Sequence, residues 1–132
     1  MCNGNCNCIS DILKVICLLQ KNADCGEYCI DSCDRPTLGG LSSVFYNTRP
    51  VMLYTCNSNG TEAWSMPTSR VVTSTETSTV FRIEKIDGCC ATFRVLISNE
   101  DGTYTSTESF FTMNLECICC IRCLNDTLIE NL

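Results

Sequence analysis

Residues 81–95 constrain this chain more than any other stretch. They read Phe81-Arg82-Ile83-Glu84-Lys85-Ile86, then Asp87-Gly88, then Cys89-Cys90-Ala91-Thr92-Phe93-Arg94-Val95. Apolar and polar residues alternate on both sides of the Asp-Gly step, which is the pattern of a β-hairpin. A two-residue Asp87-Gly88 loop would set Ile83 opposite Thr92 and Arg82 opposite Phe93, apolar against polar throughout. A three-residue loop that includes Cys89 sets Ile83 opposite Phe93 and Phe81 opposite Val95. Arg82, Glu84, Thr92 and Arg94 then share the outer face. One buried face specifies register strongly, because a slip of one residue turns every side chain over. The three-residue loop is therefore expected, with Arg82 facing Arg94 and Glu84 placed to relieve their repulsion.

The same period of two recurs elsewhere. Val51-Met52-Leu53-Tyr54-Thr55-Cys56 and Glu62-Ala63-Trp64-Ser65-Met66 read as strands. Asn57-Ser58-Asn59-Gly60 between them is a turn signal, and Leu53, Trp64 and Met66 are expected on one side. A further short strand is expected at 69–73, inside a Ser- and Thr-rich stretch. Residues 111–124 read as one long last strand. Its odd positions, Phe111, Met113, Leu115, Cys117, Cys119, Ile121 and Cys123, form an unbroken apolar face. Cys117, Cys119 and Cys123 are thus expected to look inward and Cys120 outward.

Ahead of the strands the period is helical. Ile9, Ile12, Leu13, Ile16 and Leu19 follow the spacing of a buried stripe, so a helix is expected over 9–22. Ser10 is placed to cap it, Asp11 suits its positive end and Asn22 can close it. The chain then divides into a flexible cysteine-bearing arm, 1–8, and a single domain, 9–132. That domain comprises the helix, a cysteine-rich link over 23–40 and a β-core over 50–124. The expected fold class is mainly β: an antiparallel β-sandwich or small barrel of about six strands with one N-terminal helix.

Composition removes several functions. There is no histidine, so the commonest general base and the Ser-His and Cys-His nucleophile pairs are missing. No Gly-rich phosphate loop or paired-carboxylate motif stands out. No enzyme, no catalytic residue and no cofactor are expected. Net charge is −6 and the nine basic residues are scattered, which argues against nucleic acid as a partner. The longest apolar run, 15–19, is too short to cross a bilayer, so no membrane role is expected.

Cysteine is the remaining chemistry, at 14 of 132 residues. That density normally marks a disulfide scaffold of a secreted chain. The polar start Met-Cys-Asn-Gly-Asn-Cys-Asn-Cys lacks a secretory signal pattern. The expectation is synthesis in a cytoplasm with reduced thiols, which later bind metal or oxidise. Cys2, Cys6 and Cys8 sit on the arm, where they can reach a neighbouring subunit. Cys25, Cys29 and Cys33 lie among Asp24, Glu27, Asp31 and Asp34, so they read as exposed and prone to oxidation. These six are the candidates for disulfides between subunits. Cys89, Cys90, Cys117, Cys119, Cys120 and Cys123 are candidates for core packing or disulfides within the chain. Cys56, at a strand end, is expected to be unpaired or peripheral. A zinc module is the alternative, because Cys117, Cys119, Cys120 and Cys123 offer four thiolates. Zinc ribbons carry C-x-x-C on turns, whereas this cluster lies in a strand pattern, so no metal ligand is assigned.

Three stretches together resemble the cysteine-rich spore coat proteins of the CotY/CotZ family, which includes the exosporium protein ExsY. The first is Asn47-Thr48-Arg49-Pro50-Val51-Met52-Leu53-Tyr54-Thr55, followed by Glu62-Ala63-Trp64. The second is Val80-Phe81-Arg82-Ile83-Glu84, continuing to Cys90-Ala91-Thr92-Phe93-Arg94-Val95-Leu96. The third is Leu115-Glu116-Cys117-Ile118-Cys119-Cys120-Ile121-Arg122-Cys123-Leu124, similar to a closing C-x-C-x-x-x-C-L pattern with Cys120 as an addition. The resemblance implies a structural protein made in the mother-cell cytoplasm and deposited on the spore surface, in the outer coat or exosporium. It implies self-assembly into an ordered, disulfide-cross-linked lattice, with a homo-oligomer such as a hexameric tile and other spore coat proteins as partners. The chain is shorter than typical members and its arm carries extra cysteines.

Overall fold

A computed structural model of the chain describes residues 8–21, 46–56, 62–130 and 132. Helix α1 spans Cys8–Lys21 and buries Ile9, Leu13, Ile16 and Cys17 along one stripe. It starts one residue earlier than expected. Ser10 therefore lies inside the first turn, fully buried, instead of capping the helix. Among the described residues seven strands follow: β1 Val51–Thr55, β2 Met66–Pro67, β3 Thr77–Ser78, β4 Val80–Asp87, β5 Cys90–Ser98, β6 Tyr104–Asn114 and β7 Ile118–Cys123. Five form an antiparallel sheet in the order β6-β5-β4-β1-β7, and β2 pairs with β3 in a small ribbon. The fold is mainly β with one N-terminal helix, as expected, and sandwich-like without closing into a barrel.

The order of the strands forces the sheet to curl. β6 and β7 lie on opposite edges, yet only the 3₁₀ turn Leu115–Cys117 separates them in sequence. In a flat sheet the edges would stand four spacings apart, about 19 Å. The path from Asn114 to Ile118 reaches at most about 15 Å even when fully extended. The two edges must therefore bend toward each other near this turn. α1 packs on β4 and β7.

The β4–β5 hairpin has the expected facing through a different loop. Ile83 pairs with Phe93, Phe81 with Val95 and Arg82 with Arg94. The closing pair is Asp87 and Cys90, so the loop is Gly88-Cys89, and the register shifts between Ile83 and Lys85. Glu84 is the extra residue of a bulge. Gly88 takes φ 61°, a left-handed conformation that favours glycine. Loop and bulge together keep the apolar faces matched. The Glu84 Oε2 oxygen accepts from Arg82 Nη1 at 2.7 Å and from Arg94 Nε at 3.0 Å. One carboxylate thus separates the two facing guanidinium groups.

The main core joins the helix stripe to Val51, Leu53, Phe81, Ile83, Phe93, Val95, Leu115 and Ile118. Phe81, Phe93 and Phe111 form an aromatic triad, with centroids 4.8 to 6.3 Å apart. A second cluster lies on the other face, where Val80, Leu96 and Ile129 meet Met52, Tyr104 and Leu124. Residues 124–130 therefore fold back over the sheet. The Thr127 N–H donates to Thr48 O at 2.9 Å, and the Ile129 N–H donates to Asn47 Oδ1 at 3.0 Å. Gln20 ties the helix to both layers: its Nε2 donates to Ile83 O at 2.8 Å, and its Oε1 accepts from the Arg49 N–H at 3.0 Å.

Three strand expectations change, and one strand begins where none was expected. Residues 62–66 give only a single bridge, Tyr54 with Ala63, before β2 begins, and Trp64 is 37% exposed. The expected turn at 57–60 lies outside the described residues. Residues 69–73 form no strand, and Val72 stands almost fully in solvent. β6 starts at Tyr104, in a run of Thr, Ser and Glu that lacks a clean alternation. The expected single strand over 111–124 is the end of β6, the 3₁₀ turn and β7.

Candidate cross-linking site

Cys56, Cys89, Cys90, Cys117 and Cys119 gather where the two sheet edges meet. Cys56 follows β1, and β1 pairs with β7. Tyr54 pairs with Cys120 but Thr55 pairs with Ile118, so Cys119 is the extra residue of a β-bulge. It is bonded to Cys56 as a disulfide with Cα atoms 5.1 Å apart. Cys89 and Cys90 belong to the same region, because the Leu115 N–H donates to Cys89 O at 2.7 Å and Cys90 pairs with Asn114. Cys117 ends the 3₁₀ turn between them.

The bulge changes which cysteines look inward. Ile121 pairs with Leu53 and Cys123 with Val51, and both pack against the core, as the alternation predicted for that end. One turn earlier the phase breaks. Ile118 takes the buried position, while Cys117 and Cys119 are exposed. The inward expectation for Cys117 and Cys119 is thus corrected: a 3₁₀ turn and a bulge each interrupt the period of two. Cys120 faces solvent, as expected. Cys56 is half-buried and disulfide-bonded rather than unpaired. Nothing local in the sequence marks its partner 63 residues away.

The remaining cysteines divide as follows. Cys89 and Cys123 are disulfide-bonded. Cys8, Cys90, Cys117 and Cys120 are free and exposed. Cys8 is the first residue of α1 rather than the last of an arm. Cys2, Cys6, Cys25, Cys29 and Cys33 lie outside the described residues. Cys17 was not singled out by the sequence, although its place four residues after Leu13 sets it on the buried stripe. It is buried and free, and its thiol donates to Glu84 O at 3.7 Å.

Zinc at the C-terminal cluster is not supported by this arrangement. Cys119 and Cys123 are engaged in disulfides. Among the described residues, no group of three or more His, Cys, Asp or Glu is placed to hold a metal ion. The free, exposed thiol of Cys120 thus stands next in sequence to Cys119, an exposed half of a disulfide, and the chemistry of such groups is thiol oxidation and disulfide exchange.

The Cys56–Cys119 bond also stabilises. It joins positions 63 apart in sequence, and closing a loop of that length restricts the unfolded chain. Replacing both cysteines with serine is expected to lower stability by about 2–4 kcal/mol. Urea denaturation of the oxidised parent and the double variant measures it. An unchanged midpoint would mean that this bond does not restrict the unfolded chain.

A protein-family model described as Spore coat protein Z matches residues 2–107. That span holds the first two of the three resembling stretches, and the third, 115–124, lies beyond it. No curated protein and no solved structure matches the chain.

Proposed function

Because the chain belongs to the spore coat protein Z family, we propose that it builds a disulfide-cross-linked lattice on the spore surface by assembling with copies of itself. The family gives the coarser statement, a structural role in the spore coat at the spore surface. The finer reading rests mainly on one observation. Cys8, Cys90, Cys117 and Cys120 present free thiols to solvent on a folded β-domain. A buried thiol serves packing, whereas an exposed one can be oxidised against a neighbour.

In this reading the chain is made in the mother-cell cytoplasm with its thiols reduced. It then tiles the outer coat or exosporium as a homo-oligomer, for which a hexamer is the proposed unit, together with other spore coat proteins. Cys2, Cys6 and Cys8, with Cys25, Cys29 and Cys33, remain the proposed bonds between subunits. Low charge favours close tiling, because charged residues are only 18% of the chain.

Electron microscopy and non-reducing gels test the proposal. Purified oxidised protein is expected to form ordered sheets and a ladder of covalent oligomers, and reductant should collapse the ladder. Replacing Cys2, Cys6 and Cys8 with serine should shorten the ladder while the circular dichroism stays that of the parent. A monomer band with and without reductant, and no ordered assembly, would defeat the reading.

A further inference from the structure

The Cys56–Cys119 disulfide differs from a buried staple in where it sits. Among the described residues β7 is an edge strand, paired on one side only, by β1. Cys119 is exposed at a bulge of that edge. The next residue, Cys120, is a free and exposed thiol. The same patch therefore carries an acceptor disulfide and a donor thiol.

Within one chain this pair is poorly placed to react. Adjacent Cα atoms are about 3.8 Å apart, below the roughly 4.4–6.8 Å that an ordinary disulfide spans. Between two chains that restriction disappears. Two copies meeting through the same patch are self-complementary: Cys120 of each faces Cys119 of the other, as a two-fold contact requires.

We propose that this edge passes disulfides between copies by thiol–disulfide exchange, Cys120 of one copy attacking Cys119 of another. The Cys120 thiolate attacks the Cys119 sulfur of the second copy. The Cys120–Cys119 bond forms between chains as the Cys119–Cys56 bond breaks. Cys56 leaves with the electron pair and takes up the proton that Cys120 lost. One disulfide replaces another, so the step consumes no oxidant and the number of thiols is unchanged. This proposal rests on the reading of the chain as a cross-linked coat protein, and adds that an internal bond made once can be traded for a bond between subunits.

The test mixes unlabelled and ¹⁵N-labelled full-length protein, both carrying the Cys56–Cys119 bond, without oxygen and with a chelator present. Trypsin cuts after Arg94 and Arg122, so Cys119 and Cys120 fall on one peptide, 95–122. The expected product is a disulfide-linked dimer of that peptide with one light and one heavy half, together with new alkylation at Cys56. Cys120→Ser should abolish it, and Cys117→Ser should leave it in place. No mixed-isotope dimer in the parent, or its persistence in Cys120→Ser, overturns the proposal. A parallel sample in air separates the two readings. Cross-linking in air without exchange in its absence removes only the exchange step, whereas no cross-linking in either removes the lattice reading as well.

Discussion

Asp126→Ala is expected to destabilise the folded chain by about 3–5 kcal/mol, the range for removing one partner of a buried ion pair. Asp126 and Arg49 are each only 3% exposed in their side chains. Arg49 Nε donates to Asp126 Oδ1 at 2.7 Å and Nη2 donates to Oδ2 at 3.1 Å, a two-pronged contact that fixes both groups. Removing the carboxylate takes this two-pronged contact from an enclosed guanidinium. The loss should spread, because the same segment holds Thr127 against Thr48 and seats Ile129 in the second core cluster. Hydrogen exchange at the Thr127 amide should rise along with the fall in the urea midpoint. Replacing both residues together, Arg49→Met with Asp126→Leu, should recover much of the loss, since neither member of the pair then stays buried without the other. A single-variant loss below about 1 kcal/mol, the range of exposed pairs, would mean that water reaches the site.

Phe93→Ala is the second large effect, again about 3–5 kcal/mol, from lost burial and the cavity left behind. Phe93 is fully buried in β5 and pairs with Ile83 on one side and Phe111 on the other. Its ring stacks on Phe111 at 5.3 Å and approaches Phe81 at 6.3 Å, so truncation removes two aromatic contacts of the triad. Phe110 provides the control. It is 44% exposed, and the Arg94 guanidinium lies 4.5 Å from its ring centre. Phe110→Ala should cost about 1 kcal/mol or less, the range of an exposed cation–π contact. Chemical denaturation of both variants measures the difference. Similar losses for the two would contradict the assignment of faces in β5 and β6.

Much of this fold could be read from the residues because local patterning and tertiary packing agree. The stripe from Ile9 to Ile16 needs only the helical period and one apolar partner. The facing of Phe81, Ile83, Phe93 and Val95 follows from burying a single face, and so does the role of Glu84 between two arginines. Other features depend on neighbours that the local sequence does not reveal. The bulge at Glu84 and the two-residue loop give the same facing as the three-residue loop, so alternation cannot separate them. The Thr- and Ser-rich start of β6 is a strand because β5 supplies its hydrogen bonds.

At the candidate site the division is sharper. The cysteine total and the outward position of Cys120 came from the sequence alone, as did the inward position of Cys123. The partnership of Cys56 with Cys119 did not, because it depends on β1 and β7 being neighbours at the sheet edge. Nor did the exposure of Cys117 and Cys119. Their alternation is unbroken on paper, but the chain must pass from one sheet edge to the other within three residues, and that crossing breaks the period. Sequence therefore determined the helix stripe, the matched faces of the β4–β5 hairpin and the cysteine supply. Tertiary structure alone decided that Cys117 and Cys119 reach solvent and that Cys119 pairs with Cys56, because both depend on which strands lie beside the edge.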